Sequence, residues 1–269
     1  MEPVIQVENL VKQYAVRGFV GSADALTAVD SVSFSILRGM TLALVGESGS
    51  GKSSVALCVA CVERATSGQI WFEGQDAAAL GERELRVLRP RVQLVFQDPA
   101  NSLNPRWAVR EIVAEPISVR MRIPRSEREA LAARVLERVG LAAEYLGRKP
   151  GDLSGGQRQR VAIARALILE PKVLILDEVL SALDCSTQAQ IANLLAELQR
   201  ECGLAYLFIT HDLRMAAHLA DEIAVMSGGK IVEQGVPDDI LRGARQPETL
   251  SLLVASGVKR TPTDAVLRR

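Results

Sequence analysis

The sequence predicts an α/β protein on a mainly parallel sheet, interrupted by a helical insertion at about residues 98–170. Three observations carry this. Short apolar runs alternate with amphipathic segments on both sides of the insertion, the pattern of strands covered by helices on both faces. Hydrophobic residues make up 48% of the 269 residues and aromatics only 4%, which suits an Ala/Val/Leu-packed α/β core better than an aromatic-rich β-sandwich. Between about 98 and 170 the strand character disappears and helical spacing takes over.

The elements follow in order. Val4–Leu10 and Ser31–Ile36 alternate or run apolar and read as strands, with a loop at Gly18–Asp24 between them. Thr41–Val45 is a continuous apolar run that ends at a glycine-rich turn, as a buried strand does. A helix is expected over about Lys52–Val62 and a strand around Gln69–Phe72. In the insertion, Ser126 and Glu129 have capping-box spacing, and Leu131, Val135, Leu136 and Val139 share the helical face that follows, which Gly140 stops. A helix beginning at Ser154 runs to about Leu169 and ends before Pro171. Strand–helix alternation then resumes: Val173–Leu176 is a strand, Ile191, Leu194, Leu195 and Leu198 mark a helix closed by Gly203, and Tyr206–Ile209 and Ile223–Met226 are buried strands. No internal repeat is visible. One domain is expected over residues 1–257, followed by a basic, flexible tail at 258–269.

Bulk properties narrow the function classes. Lys plus Arg and Asp plus Glu both total 32, so the basic excess of a sequence-independent nucleic-acid binder is missing. No run of about 18 apolar residues offers a membrane span, and the start, Met1 to Val4, lacks the features of a signal peptide, so a cytoplasmic location is expected. Cys58, Cys61, Cys185 and Cys202 are too few and too scattered for a disulfide framework. Cys58 and Cys61 have redox-like spacing, but inside the expected helix they read as small buried hydrophobes.

The chemistry starts at Gly46. Gly46, Glu47, Ser48, Gly49, Ser50, Gly51, Lys52 and Ser53 match the phosphate-binding pattern GxxxxGK[ST]. The glycines let backbone amides wrap around phosphate oxygens, and the following helix aims its positive end at the same anions. Lys52 is suited to the β- and γ-phosphates and the Ser53 hydroxyl to Mg2+. The run Val173–Leu176 leads into Asp177 and Glu178. A buried strand ending in this pair can deliver Asp177 to the magnesium shell and leave Glu178 to orient or deprotonate an attacking water. A second glycine-bearing helix start follows Leu153: Ser154, Gly155, Gly156 and Gln157. Ser154 and Gln157 have capping-box spacing and can simply cap the helix, but two glycines at a helix start also make an anion site. Both helix ends can grip one γ-phosphate if the second comes from another copy in a head-to-tail pair.

Taken together, these residues identify the chain as a member of the ATP-binding-cassette (ABC) ATPase family, which it resembles from Val4 to about Val254. The resemblance implies a P-loop NTPase core with an N-terminal antiparallel β subdomain and an inserted α-helical subdomain bearing the LSGGQ signature. It implies that ATP binds along Gly46–Ser53 and onto Ser54, and that Leu153–Gln157 act on the partner's ATP. Tyr14 resembles the aromatic that stacks on adenine, and Gln97 the glutamine at the Mg2+ and water site. Ser181, Ala182, Leu183 and Asp184 resemble the D-loop. His211 resembles the switch histidine, catalytic together with Glu178. Ser53, Gln97 and Asp177 are the implied metal residues. One departure is that Val179 and Leu180 follow Glu178, where the family usually has Pro.

Gln97 to Arg106 and Ile112 to Pro116 are similar to the corresponding segment of oligopeptide, dipeptide and nickel importer ATPases. That likeness implies two transmembrane permease subunits, a second ATPase subunit (identical or homologous) and, indirectly, an extracytoplasmic solute-binding protein. It also implies attachment at the cytoplasmic face of the inner membrane. No cysteine follows Cys202, so no iron–sulfur cluster is expected in a C-terminal extension. Two other classes compete: a soluble single-cassette ATPase, as in iron–sulfur assembly, and a small-molecule P-loop kinase, against which the signature and His211 argue.

Overall fold

The computed structural model describes residues 2–17, 23–98 and 102–257. Among these residues, ten strands form two sheets. The first is antiparallel, in the order β2 (Ala23–Leu37), β1 (Pro3–Arg17), β4 (Ser67–Phe72), β5 (Gln75–Asp76). The second runs β10 (Lys230–Gly235), β9 (Glu222–Ser227), β3 (Thr41–Val45), β8 (Ala205–Thr210), β7 (Val173–Asp177), β6 (Val92–Val95). All its pairings are parallel except that of β10 with β9.

Both faces of the second sheet are buried, and its strands divide their side chains between two cores. Leu42 and Leu44 of β3 face one core while Ala43 and Val45 face the other, and Val173 and Ile175 of β7 alternate in the same way with Leu174 and Leu176. This is the two-residue period of a strand covered on both sides. The first core lies between the two sheets and includes Val55, Ala56 and Val59 of α1 (Lys52–Val59). The second holds the helical insertion: α3 (Val109–Arg120), α4 (Arg125–Arg138) and α5 (Gly155–Leu167), which lie between β6 and β7 in the chain. A short α2 (Glu82–Leu88) precedes β6. After β7 come α6 (Cys185–Cys202), α7 (Leu213–Leu219), α8 (Pro237–Gly243) and α9 (Pro247–Ala255). The helix expected through Leu198 closes on Gly203 in the left-handed conformation, φ 62°, as its sequence implies.

Several expectations need correction. The first two strands run well past Val4–Leu10 and Ser31–Ile36, because β1 and β2 pair from Pro3↔Leu37 to Arg17↔Ala23 through several bulges. Residues 18–22 of the expected loop lie outside the described residues, and Ala23 and Asp24 belong to β2. Helix α1 ends at Val59, so Cys61 is beyond it, with φ 55°. Burial pushes both the Cys58 and Cys61 thiols up to about 11, away from redox reactivity. The capping box at Ser126 does not form. Helix α4 begins two residues earlier, with Pro124 instead of Ser126 at its N-cap and Ser126 inside the first turn. Glu129 pairs with Arg125 at 2.9 Å instead. The expected tail at 258–269 lies outside the described residues.

Candidate functional site

Strands β3, β7 and β8 finish level: Val45 pairs with Thr210, and Asp177 with Ile209. The crevice at the carboxyl ends of parallel strands is where ligands bind in such sheets. Three loops therefore meet there, following Val45, Asp177 and Thr210.

Crowding dictates two glycines of the first loop. A Cβ on Gly46 would lie 2.2 Å from the Met226 carbonyl oxygen, and one on Gly51 2.1 Å from that of Ala28. Gly51 also has φ 103° and begins α1 with no side chain capping the helix, so its first amides remain available to an anion. Glu47, Ser48 and Gly49 form the exposed tip of the loop. Lys52 is buried. Its ammonium donates to the Gly46 and Glu47 carbonyls, both at 2.8 Å, and to Ser50 Oγ at 3.3 Å. Burial lowers the pKa of Lys52, while Glu178 and Asp177 oppose that shift. The loop is thus folded around its own cation.

Asp177 Oδ1 accepts from Ser53 Oγ at 3.4 Å. Burial raises the Asp177 carboxyl above its ordinary value, with the Ser53 hydrogen bond opposing. A hydroxyl and a partly desolvated carboxylate suit a hard divalent cation such as Mg2+, which takes one or two protein oxygens and completes its shell with phosphate and water. Among the described residues no group of three or more His, Cys, Asp or Glu could hold a metal unaided. The donor set therefore fits a cation that arrives with a phosphate ligand.

Glu178 is the convergence point. Its backbone is left-handed, φ 48°, held by its amide on the Ile209 carbonyl at 3.0 Å and by the Ser181 hydroxyl on its own carbonyl at 2.9 Å. Oε2 accepts from Gln97 Nε2 at 3.0 Å and lies 3.5 Å from His211 Nδ1. Gln97 follows β6 and His211 follows β8, so three strand ends contribute to one carboxylate. A carboxylate held this way can orient a water and take its proton. Val179 and Leu180, which follow Glu178, are buried in the same core as Leu176.

The other predicted residues lie around this centre. Tyr14 is tied to α1 by its hydroxyl, which lies 3.3 Å from Ser54 Oγ and donates to Glu63 Oε2 at 2.9 Å, while Lys12 Nζ covers one ring face 4.8 Å from the centroid. Sequence reasoning missed Lys12, although residues two apart on a strand share a face. It also missed Glu63, which pairs with Lys12 at 2.8 Å. Ser154 and Gln157 form the capping box, by Ser154 N to Gln157 Oε1 at 2.9 Å and Gln157 N to Ser154 Oγ at 3.3 Å. Leu153 is buried beneath them. Within the chain this helix start meets the loop at Ser181–Asp184 instead of the Lys52 loop. A Cβ on Gly155 would touch Leu183 Cδ2 at 3.4 Å, and one on Gly156 would overlap Thr187 Cγ2 at 2.5 Å. Asp184 caps α6 by accepting from the Thr187 amide at 2.9 Å and hydroxyl at 2.7 Å. Ala182 continues the same exposed turn.

A lysine-centred glycine loop after β3, an acid ending β7 two places along the sheet and a helical insertion before β7 in the chain define a P-loop nucleoside triphosphatase. The ABC transporter family model matches residues 29–181. The dipeptide transport ATP-binding protein DppF of Escherichia coli is 43% identical over 256 residues, covering 95% of this chain and 77% of its own. The oligopeptide transport ATP-binding protein AppF of Bacillus subtilis is 43% identical over 262 residues, covering 96% and 80%. Among solved structures, CbiO1 of Clostridium perfringens, part of the CbiONQ ABC transporter complex, superposes with a TM-score of 0.77 at 31% identity, over 89% of this chain and 91% of its own. The chain belongs to the ABC transporter ATPase family and is an ATP-binding, ATP-hydrolysing subunit.

Proposed function

We propose that this subunit powers an importer of peptides or a related small solute, working with a second copy or a homologous ATPase. In this reading ATP lies between two cassettes, with the Lys52 loop of one facing the Ser154–Gln157 helix end of the other. Lys52 exchanges its own loop carbonyls for the β- and γ-phosphates, amides along Gly46–Ser54 cradle the phosphate chain, and Tyr14 offers its free ring face to the adenine. Ser53, Asp177 and Gln97 would hold Mg2+, which supplies neutralisation of phosphate charge when bound. Glu178 orients the attacking water and accepts its proton, His211 faces the γ-phosphate, and Ser181–Asp184 form the turn between the two sites. ATP binds the closed pair better than the open one, and this difference is what can shift the attached membrane subunits.

The observation that carries the reading is the meeting of Gln97 and His211 on the Glu178 carboxylate, beside the Ser53–Asp177 pair. Among the described residues no helix is long and apolar enough to cross a membrane. Attachment to the cytoplasmic face of the inner membrane would then come through two permease subunits, fed from outside by a solute-binding protein. The likeness to DppF and AppF supports peptide import over a soluble cassette without transport partners.

Glu178→Gln tests the mechanism. ATP binding is retained, turnover falls by about 100-fold or more, and ATP accumulates a stable dimer. Normal turnover in that variant removes Glu178 from the chemistry. Hydrolysis by the parent chain without any phosphate acceptor excludes the kinase class.

A further inference from the structure

The helix that starts at Ser154 also reaches the Gln97 segment, through its opposite end. Arg165 lies in the last turn of α5. Its Nη1 donates to the Ser102 carbonyl at 2.7 Å and lies 3.8 Å from the Glu115 carboxylate of α3. The Ser102 amide donates in turn to the carbonyl of Asp98, the residue after Gln97, at 3.1 Å. Gln97 itself donates to Glu178 at 3.0 Å.

An arginine is an expensive occupant here. Its neighbours on the helix, Ala162, Ile163, Ala166 and Leu167, are buried and apolar. Burial depresses the Arg165 pKa, and Glu115 only partly opposes it. A methionine would fill the same space without that desolvation cost. What methionine lacks is a charged donor nitrogen that reaches a carbonyl from one segment and a carboxylate from another at once.

We infer that Arg165 is a positioning residue for ATP hydrolysis, fixing through Ser102 and Asp98 the point where Gln97 meets Glu178. The inference rests on the roles proposed above for Gln97 and Glu178. It ties two regions together mechanically. Helix α5 is a rod of roughly 20 Å, with the Ser154 cap at one end and the Arg165 clamp at the other. A displacement of α5 that moves Ser154 also moves the turn holding Gln97.

The test is a double-mutant cycle on steady-state ATP hydrolysis by the full chain, with thermal melts to confirm folding. R165M is expected to lower kcat by about tenfold while leaving KM for ATP within about twofold, since a misplaced group costs rate more than binding. R165K, which keeps the charge and one donor, should recover part of that loss. In the Q97A background the same R165M change should cost nothing further. A loss that multiplies on top of Q97A, or an unchanged kcat in a folded R165M protein of lower Tm, overturns the inference and leaves Arg165 a structural residue. Should R165M fail to fold, R165K in both backgrounds carries the same comparison. Normal turnover in Q97A alone is a different result: it removes Gln97 from the mechanism and the underlying reading with it.

Discussion

The loop before α1 and the loop before α5 both put glycines at a helix start, yet the glycines answer to different neighbours. At Gly46 and Gly51 the obstacles are backbone carbonyls, of Met226 and Ala28, which cannot turn aside. At Gly155 and Gly156 they are the side chains of Leu183 and Thr187, which can. The caps differ in the same sense. Helix α1 begins on a bare glycine with no side-chain cap, and Lys52 folds back on the Gly46 and Glu47 carbonyls. Helix α5 closes a reciprocal capping box, the Gln157 amide on Ser154 Oγ and the Ser154 amide on Gln157 Oε1, which holds its start without any outside group. One loop is folded around a buried lysine, with a helix start that no side chain caps. The other closes on its own capping box and on Leu183 and Thr187 of the same chain. A shared glycine-at-helix-start pattern therefore does not imply a shared local task.

Substitutions can break this contrast, and the largest effect is expected at the first loop. Gly51→Ala sets a Cβ against a backbone oxygen at a φ that alanine resists, a cost of about 3 kcal/mol or more, so nucleotide titration should show binding lost together with a fall in Tm. Gly156→Ala should cost less, about 1–2 kcal/mol in chemical denaturation, and Thr187→Ser should restore most of it by removing the methyl group in the way. If Thr187→Ser gives no rescue, the packing contrast is wrong. Ser154→Ala should cost about 1 kcal/mol in the same assay, through the lost cap alone.

The smallest effect is expected at the partly buried carboxylate beside the first loop. Burial raises the Asp177 pKa, so the folded chain holds that proton more tightly than the unfolded chain does. Asp177 thus favours folding at acid pH. That contribution is lost as pH rises from the ordinary carboxylate value through the higher folded one, and above it the ionised group is a net burden. Asp177→Asn should slightly raise the Tm of the ligand-free chain at neutral pH and flatten its dependence on acid. A lower Tm at neutral pH would contradict the assignment.

The legible parts of this chain were those whose cause is local. The Gly46–Ser53 pattern, the Ser154 cap and the Gly203 stop each depend on a few neighbouring residues, and each could be named from sequence. Glu178 could be named from the apolar strand run that ends beside it, whereas Gln97 and His211 could be named only by resemblance, because their meeting with it depends on which strand ends finish level in the sheet. The failures share a cause too. Ser126 and Glu129 have correct capping spacing, but Pro124 starts α4 earlier and Arg125 takes the glutamate. Strands β1 and β2 run long because they pair with each other through bulges that no single-strand pattern reveals. The Arg165 contact joins residues 63 positions apart and has no local signature.

The turn after Glu178 has one further consequence. A proline ring stiffens a chain covalently and does so equally at any temperature. Here Val179 and Leu180 do the stiffening by being shut away from water, and that driving force fades on cooling. The aim of the Glu178 carboxylate therefore draws on the exclusion of water at Val179 and Leu180 as well as on the bonds to Ile209 and Ser181, two supports that answer differently to temperature.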